Sequence, residues 1–219
     1  MAQSNSLNTS HKTLYISYIV LLVLSFIALL MSQKGDFVIL LNSWHQPALD
    51  SFMVSVTKAG EYWGFFFVLI MLLSFTKYRH VLTYLIACAL MLGLVSLFKH
   101  IVFSDFMRPA VVLEEEHLHF VRGLYINKKF SFPSGHTTAA FTYFFFFALT
   151  QKKTLLQILL LTAAVLIGGS RIYLAQHFLM DVIAGSILGV GIASVSWYLI
   201  SEKWLAKYPR LDRGLRVTG

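Results

Sequence analysis

Six stretches of this chain, at 14–32, 62–75, 81–98, 135–150, 155–169 and 181–200, are apolar almost throughout. Runs of that kind, at about 1.5 Å per helical residue, match the hydrocarbon core of a bilayer. A backbone in lipid must satisfy its own hydrogen bonds, so such runs fold as helices. The expectation is an all-α membrane protein, a six-transmembrane-helix bundle forming one domain over 1–219. The second span is expected to begin before Gly60. The first is read as a transmembrane helix rather than a signal peptide, because it is long and residues 31–34 offer no small-x-small cleavage site.

Hydrophobic residues make up 57% of the chain and charged residues 13%, which excludes an ordinary soluble domain. The net charge is +8. Lys12, Lys77, Arg79, Lys152, Lys153, Lys203, Lys207, Arg210, Arg213 and Arg216 all flank apolar spans, and six spans bring them to one side. Membrane topology thus accounts for the charge, and no nucleic-acid partner is needed. The polar, mobile arm 1–12 and the basic tail 203–219 are both expected in the cytoplasm. Segments 33–60, 99–134 and 170–180 then share the opposite face. There, 38–41, Trp44 and 48–54 read as short interfacial helices. Cys88, inside an apolar run, reads as a packing residue. Gly185 and Gly189, with Ser186 and Gly191, read as a close helix-packing face. The aromatic run 143–147 is lipid-facing or packing.

That opposite face collects Lys99, Arg108, Arg171, His136, His177 and Asp181, all near span ends. Ionisable groups at such depth call for pairing or function. Three cations without matching buried acids imply a bound anion, and arginine and lysine donors suit a phosphoryl group. Pro133 fits the turn before a helix, Ser134 caps it, and Gly135 lets a ligand approach the backbone. The free amides of such a helix start form an anion site, with His136 beside it. His177 and Asp181, spaced i, i+4, share one helix face, so the carboxylate orients the imidazole and frees its other nitrogen to attack. His136 supplies the proton for the leaving oxygen. The set is a phosphoryl-transfer site that needs no metal and no cofactor.

Lys99-x8-Arg108-Pro109, Pro133-Ser134-Gly135-His136 and Ser170-Arg171-x5-His177-x3-Asp181 resemble the three-part signature of the type 2 phosphatidic acid phosphatase (PAP2) superfamily, in its bacterial membrane lipid phosphatase branch. The resemblance covers about 60–200, the catalytic core. The second and third motifs match fully; in the first, eight residues separate Lys99 from Arg108 where the family usually has six. The resemblance implies a hydrolase with His177 as nucleophile forming a phosphohistidine, Asp181 orienting it and His136 protonating the leaving group. Lys99, Arg108, Arg171, Ser134 and the Gly135 amide then bind phosphate oxygens. It also implies a lipid substrate such as undecaprenyl diphosphate, phosphatidylglycerol phosphate, phosphatidic acid or a lipid A phosphate. It implies as well a place in the bacterial inner membrane, with the site facing the periplasm. Two other readings stand beside it: a phosphotransferase using the same site, and a non-enzymatic transporter or lipid-binding protein. The run Glu114, Glu115, Glu116, His117, His119 reads first as a solvated loop, then as a headgroup gate with Arg122, Lys128 and Lys129, and last as metal ligands. His11, His45, His80 and His100 read as surface or interfacial.

Overall fold

The computed structural model describes residues 2–113 and 118–215, with side chains described from residue 11 onward. Among these residues the chain is helical and has no strand: α1 (Ala2–Leu30), α2 (Asp36–Asn42), α3 (Pro47–Lys58), α4 (Tyr62–Phe75), α5 (Tyr78–Leu97), α6 (Pro109–Val112), α7 (Gly135–Leu149), α8 (Thr154–Tyr173) and α9 (Leu179–Val195). Wide π turns extend α5 over Phe98–Val102 and α9 over Ser196–Trp204.

α7 is the axis of the bundle. Every residue from Thr137 to Leu149 is buried. α8 and α9 pack along it, and α4 and α5 complete the ring. The aromatic run at 143–147 therefore takes the packing role. Phe145 and Phe146 are almost wholly enclosed, and Tyr84, Tyr143 and Phe146 meet edge-on or tilted. Cys88 is a free, buried packing residue. The outward faces are apolar as well: Ile16, Val20 and Leu24 on α1, and Trp63, Phe67 and Ile70 on α4, are exposed. Helices apolar on every side are the form a lipid solvent requires.

Among the described residues, four helices are long and apolar enough to cross a membrane: 11–30 of α1, α5 continued to Val102, α8, and α9 continued to Lys207. α3 and α4, bent by 56° at the break between them, make a fifth if taken as one span. The chain is thus a multi-pass membrane protein. The first two of the following segments differ from the sequence expectation. The backbone of 2–12 continues α1 instead of forming a loose arm. α8 runs on to Tyr173, so Ser170 and Arg171 belong to the helix, not to a polar connection. The basic tail is anchored: Asp212 pairs with Lys77 at 3.2 Å and Arg79 at 3.3 Å, and the Tyr78 amide donates to the Arg213 carbonyl.

The α7–α9 contact is set by two glycines. A Cβ on Gly185 would lie 2.8 Å from the Ser134 carbonyl oxygen, and one on Gly189 would lie 2.6 Å from that of Thr138. Only glycine admits so close a backbone approach. Gly191 has open space around its Cβ position and is not part of this face.

Candidate active site

The start of α7 is held at the centre of one end of the bundle. Ser134 caps the helix, its Oγ accepting from the Thr137 amide and hydroxyl. The Ser134 amide donates to the Asp181 carbonyl, tying α7 to the first turn of α9. Ser134 is fully buried. The next amides, those of Gly135 and His136, belong to the first turn and are not used by the helix.

His177 and Asp181 come together, but not on a helix face. His177 precedes α9, in a reversal where Ala175 takes φ 52° and the amides of Gln176 and His177 both donate to the Arg171 carbonyl. A non-glycine residue in that region is uncommon, and it fixes the reversal. Asp181 lies in the first turn of α9 and reaches back. Its Oδ2 accepts from the Phe178 amide at 3.0 Å, from Ser131 Oγ at 2.5 Å, and faces His177 Nδ1 at 3.4 Å. The carboxylate thus caps its own helix and orients the imidazole. With Nδ1 turned to a carboxylate, Nε2 is the nitrogen with a free lone pair. Burial first, then the Arg108, Arg171 and Lys99 charges, hold the His177 imidazole well below its ordinary range, so it is neutral at pH 7.

The three cations are held by neutral oxygens. Arg108 donates through Nε to the Lys129 carbonyl and through Nη1 to Gln176 Oε1, at 3.0 and 3.1 Å. Arg171 Nη1 donates to Thr57 Oγ1 at 2.8 Å, while its buried Nε has no partner among the described residues. Lys99 sits in the π turn after α5, closed by the Phe103 amide on the Phe98 carbonyl. That wide turn takes up part of the long interval to Arg108. Lys99 Nζ donates to the Phe130 carbonyl at 2.8 Å and lies 3.9 Å from the Cβ position of Gly135. Lys99, Arg108, Arg171, His136, His177, Asp181, Ser134 and Gly135 therefore share one end of the bundle. Positive charge predominates there, which disfavours a metal cation and favours an anion. Among the described residues, no three His, Cys, Asp or Glu side chains are grouped to hold a metal.

Four contributors carry no motif. Ser131 supplies the closest donor to Asp181, Gln176 and Thr57 brace the arginines, and Glu61 Oε1 lies 3.0 Å from His136 Nε2. Only Glu61 has a sequence signal, as an acid set between apolar helices. A second cluster braces the same end. Asp50 accepts from Tyr173 and pairs with His119, and Asn42 bonds both the His119 backbone and the Tyr173 carbonyl. His119 is thus a brace, with His45 stacked on it at 4.1 Å. The proposed ligands or gate residues Glu114–Glu116 and His117 lie outside the described residues. Of the histidines read as surface, His80 lies partly buried against Trp197 and His11 bonds the Leu149 carbonyl. An apolar cleft of about 470 Å³ runs from His136, Glu61 and Gly135 between α4, α5 and α7, past Phe65, Met91 and Val95.

The family model described as PAP2 superfamily matches residues 80–205, more than half of the chain. The chain belongs to the PAP2 superfamily. Among solved structures, Aquifex aeolicus LpxE is 29% identical with a TM-score of 0.65, covering 76% of this chain and 96% of its own. A transmembrane PAP2 type phosphatidylglycerolphosphate phosphatase from Bacillus subtilis is 22% identical with a TM-score of 0.63, covering 85% and 93%, and shows the same fold. No curated protein matches the sequence. The matched region holds all three motifs entire, so every cation of the site falls inside it.

Proposed function

We propose that this PAP2 protein is an integral membrane lipid phosphatase that removes a terminal phosphate through a phosphohistidine. The observation that carries the reading is the neutral, buried His177, backed by Asp181 and surrounded by Arg108, Arg171 and Lys99. The cations and the α7 amides bind the phosphoryl oxygens and stabilise the charge of the transition state. His177 Nε2 attacks phosphorus in line as the bond to the leaving oxygen breaks, and His136 gives that oxygen a proton. His136 then takes a proton from water, which attacks phosphorus. The N–P bond breaks and inorganic phosphate leaves. Positive charge does the work that a metal does elsewhere, so the reaction needs no metal.

The single domain is read as six spans: α1, the bent α3–α4 pair, α5, α7, α8 and α9. α7, about 22 Å long, is short for a span, and its place inside the bundle suits that length. The Lys77–Arg79 turn and the docked tail mark the cytoplasmic end, shared by both termini, and the site faces the periplasm of a bacterial inner membrane. Asn42, Asp50 and His119 then brace α2 and α3 over the site. The apolar cleft receives the lipid tail, with the headgroup at His136.

The test is phosphate release by purified, detergent-solubilised protein. The panel is undecaprenyl diphosphate, phosphatidylglycerol phosphate, phosphatidic acid and a lipid A phosphate, each with a His177→Ala control. Release from at least one, abolished in a folded His177→Ala variant, is expected. Substantial activity in that variant ends the phosphohistidine reading. Release that depends on an acceptor other than water moves the assignment to a transferase.

A further inference from the structure

Glu61 precedes α4, at the break from α3, and lies outside all three motifs. Its Oε1 is 3.0 Å from His136 Nε2. Gly60 seats it there, since a Cβ at Gly60 would lie 3.0 Å from the His136 carbonyl oxygen and 3.3 Å from its Cβ. The other charges facing His136 are positive: Arg171 from α8 and Lys99 from the turn after α5. His177 faces it across the site. Glu61 is the one carboxylate among these neighbours, and it is set directly on the ring nitrogen. By holding Nε2, Glu61 leaves Nδ1 for the substrate.

We propose that Glu61 is a positioning residue that orients His136 and supports its ring as it delivers a proton, and so fits the site to phosphomonoesters, whose leaving group is an alcohol. This rests on the phosphatase reading above. When an alcohol leaves, the N–P bond to His177 forms and the P–O bond breaks. The electron pair goes to the alcohol oxygen, which is a poor leaving group until the proton of His136 reaches it. When a diphosphate is the substrate, the leaving group is itself a phosphate, which carries the charge on its own oxygens and departs without that proton. Glu61 is therefore needed for the first reaction far more than for the second. Its position agrees. Glu61 and His136 both line the apolar cleft, which on the phosphatase reading receives the tail of the leaving group. A carboxylate there also repels an anionic leaving group.

Two probes with the same tail separate these cases: phosphatidic acid and diacylglycerol pyrophosphate. The enzyme is the purified full chain as wild type, Glu61→Gln and Glu61→Asp. Glu61→Gln is expected to lose about tenfold to a hundredfold in kcat on phosphatidic acid, a part of what a well-placed general acid contributes. Its loss on the pyrophosphate is expected to be smaller by about tenfold or more, and Glu61→Asp should recover most of the phosphatidic acid rate. Equal fractional losses on both probes mean that Glu61 only supports the fold, and they overturn the proposal. So does an unchanged or increased rate on phosphatidic acid, which makes Glu61 a bystander or a plug. A wild type that releases phosphate from neither probe nor any panel lipid fails at the phosphatase reading itself, a result distinct from all of these.

Discussion

At the scale of single residues, the site depends on how one carboxylate is shared. Asp181 Oδ2 serves the Phe178 amide, Ser131 and His177 together. Ser131→Ala removes its closest donor, and on whichever panel lipid is turned over we expect kcat to fall by about tenfold, near the 1–1.5 kcal/mol of one hydrogen bond, with KM little changed. The same geometry sets a pH dependence. If His177 is the nucleophile, a proton on it removes the attacking lone pair, and burial with its neighbouring cations keeps that proton off until well below the ordinary value of 6.5. The acid limb of kcat/KM, which reports the free enzyme, should therefore lie below pH 6.5 once ionisation of the substrate is divided out. The motif residues were legible in the sequence because charged side chains stand out at the ends of apolar runs. How they meet was not. The i, i+4 spacing of His177 and Asp181 reads as a helix face, yet the helix begins only at Leu179 and the carboxylate reaches back past its own cap. Ser131 and Thr57 gave no signal, since a hydroxyl in a turn or on a helix is ordinary until its partner is known.

At the scale of elements, the site depends on α7 and α9 touching backbone to backbone. Gly189→Ala would set its Cβ 2.6 Å from the Thr138 carbonyl oxygen and 2.7 Å from Phe141 Cβ, so α9 has to move. We expect that variant to lose about 1–3 kcal/mol of stability, read as a lower thermal midpoint in detergent, together with activity. Gly191→Ala, two positions on, meets open space and should leave the midpoint unchanged or slightly raised. Run length and hydropathy located the helices well: the expected 62–75 and 135–150 match α4 and α7 within a residue. They failed at the end of α8, where Ser170 and Arg171 break the apolar run although the helix continues. Hydropathy treats a buried arginine as a break. It cannot register that Thr57, from α3, accepts its hydrogen bond.

At the scale of the whole molecule, charge is divided between two ends: the site cations at one, the Lys77–Arg79 turn with its docked tail at the other. The single cysteine is buried, so introduced thiols can report sidedness. An impermeant maleimide should label Tyr125→Cys, at a position 80% exposed, in intact cells, and should label Lys152→Cys only after permeabilisation. Activity of the purified protein should withstand EDTA; a loss restored by a metal ion would count against a site that works by cations alone. The most direct measurement is rapid quenching of the enzyme during turnover of a lipid labelled in its terminal phosphate. The account predicts an acid-labile, alkali-stable phosphoryl group on His177, absent from His177→Ala. Label on any other residue, or turnover that persists in His177→Ala, would contradict it.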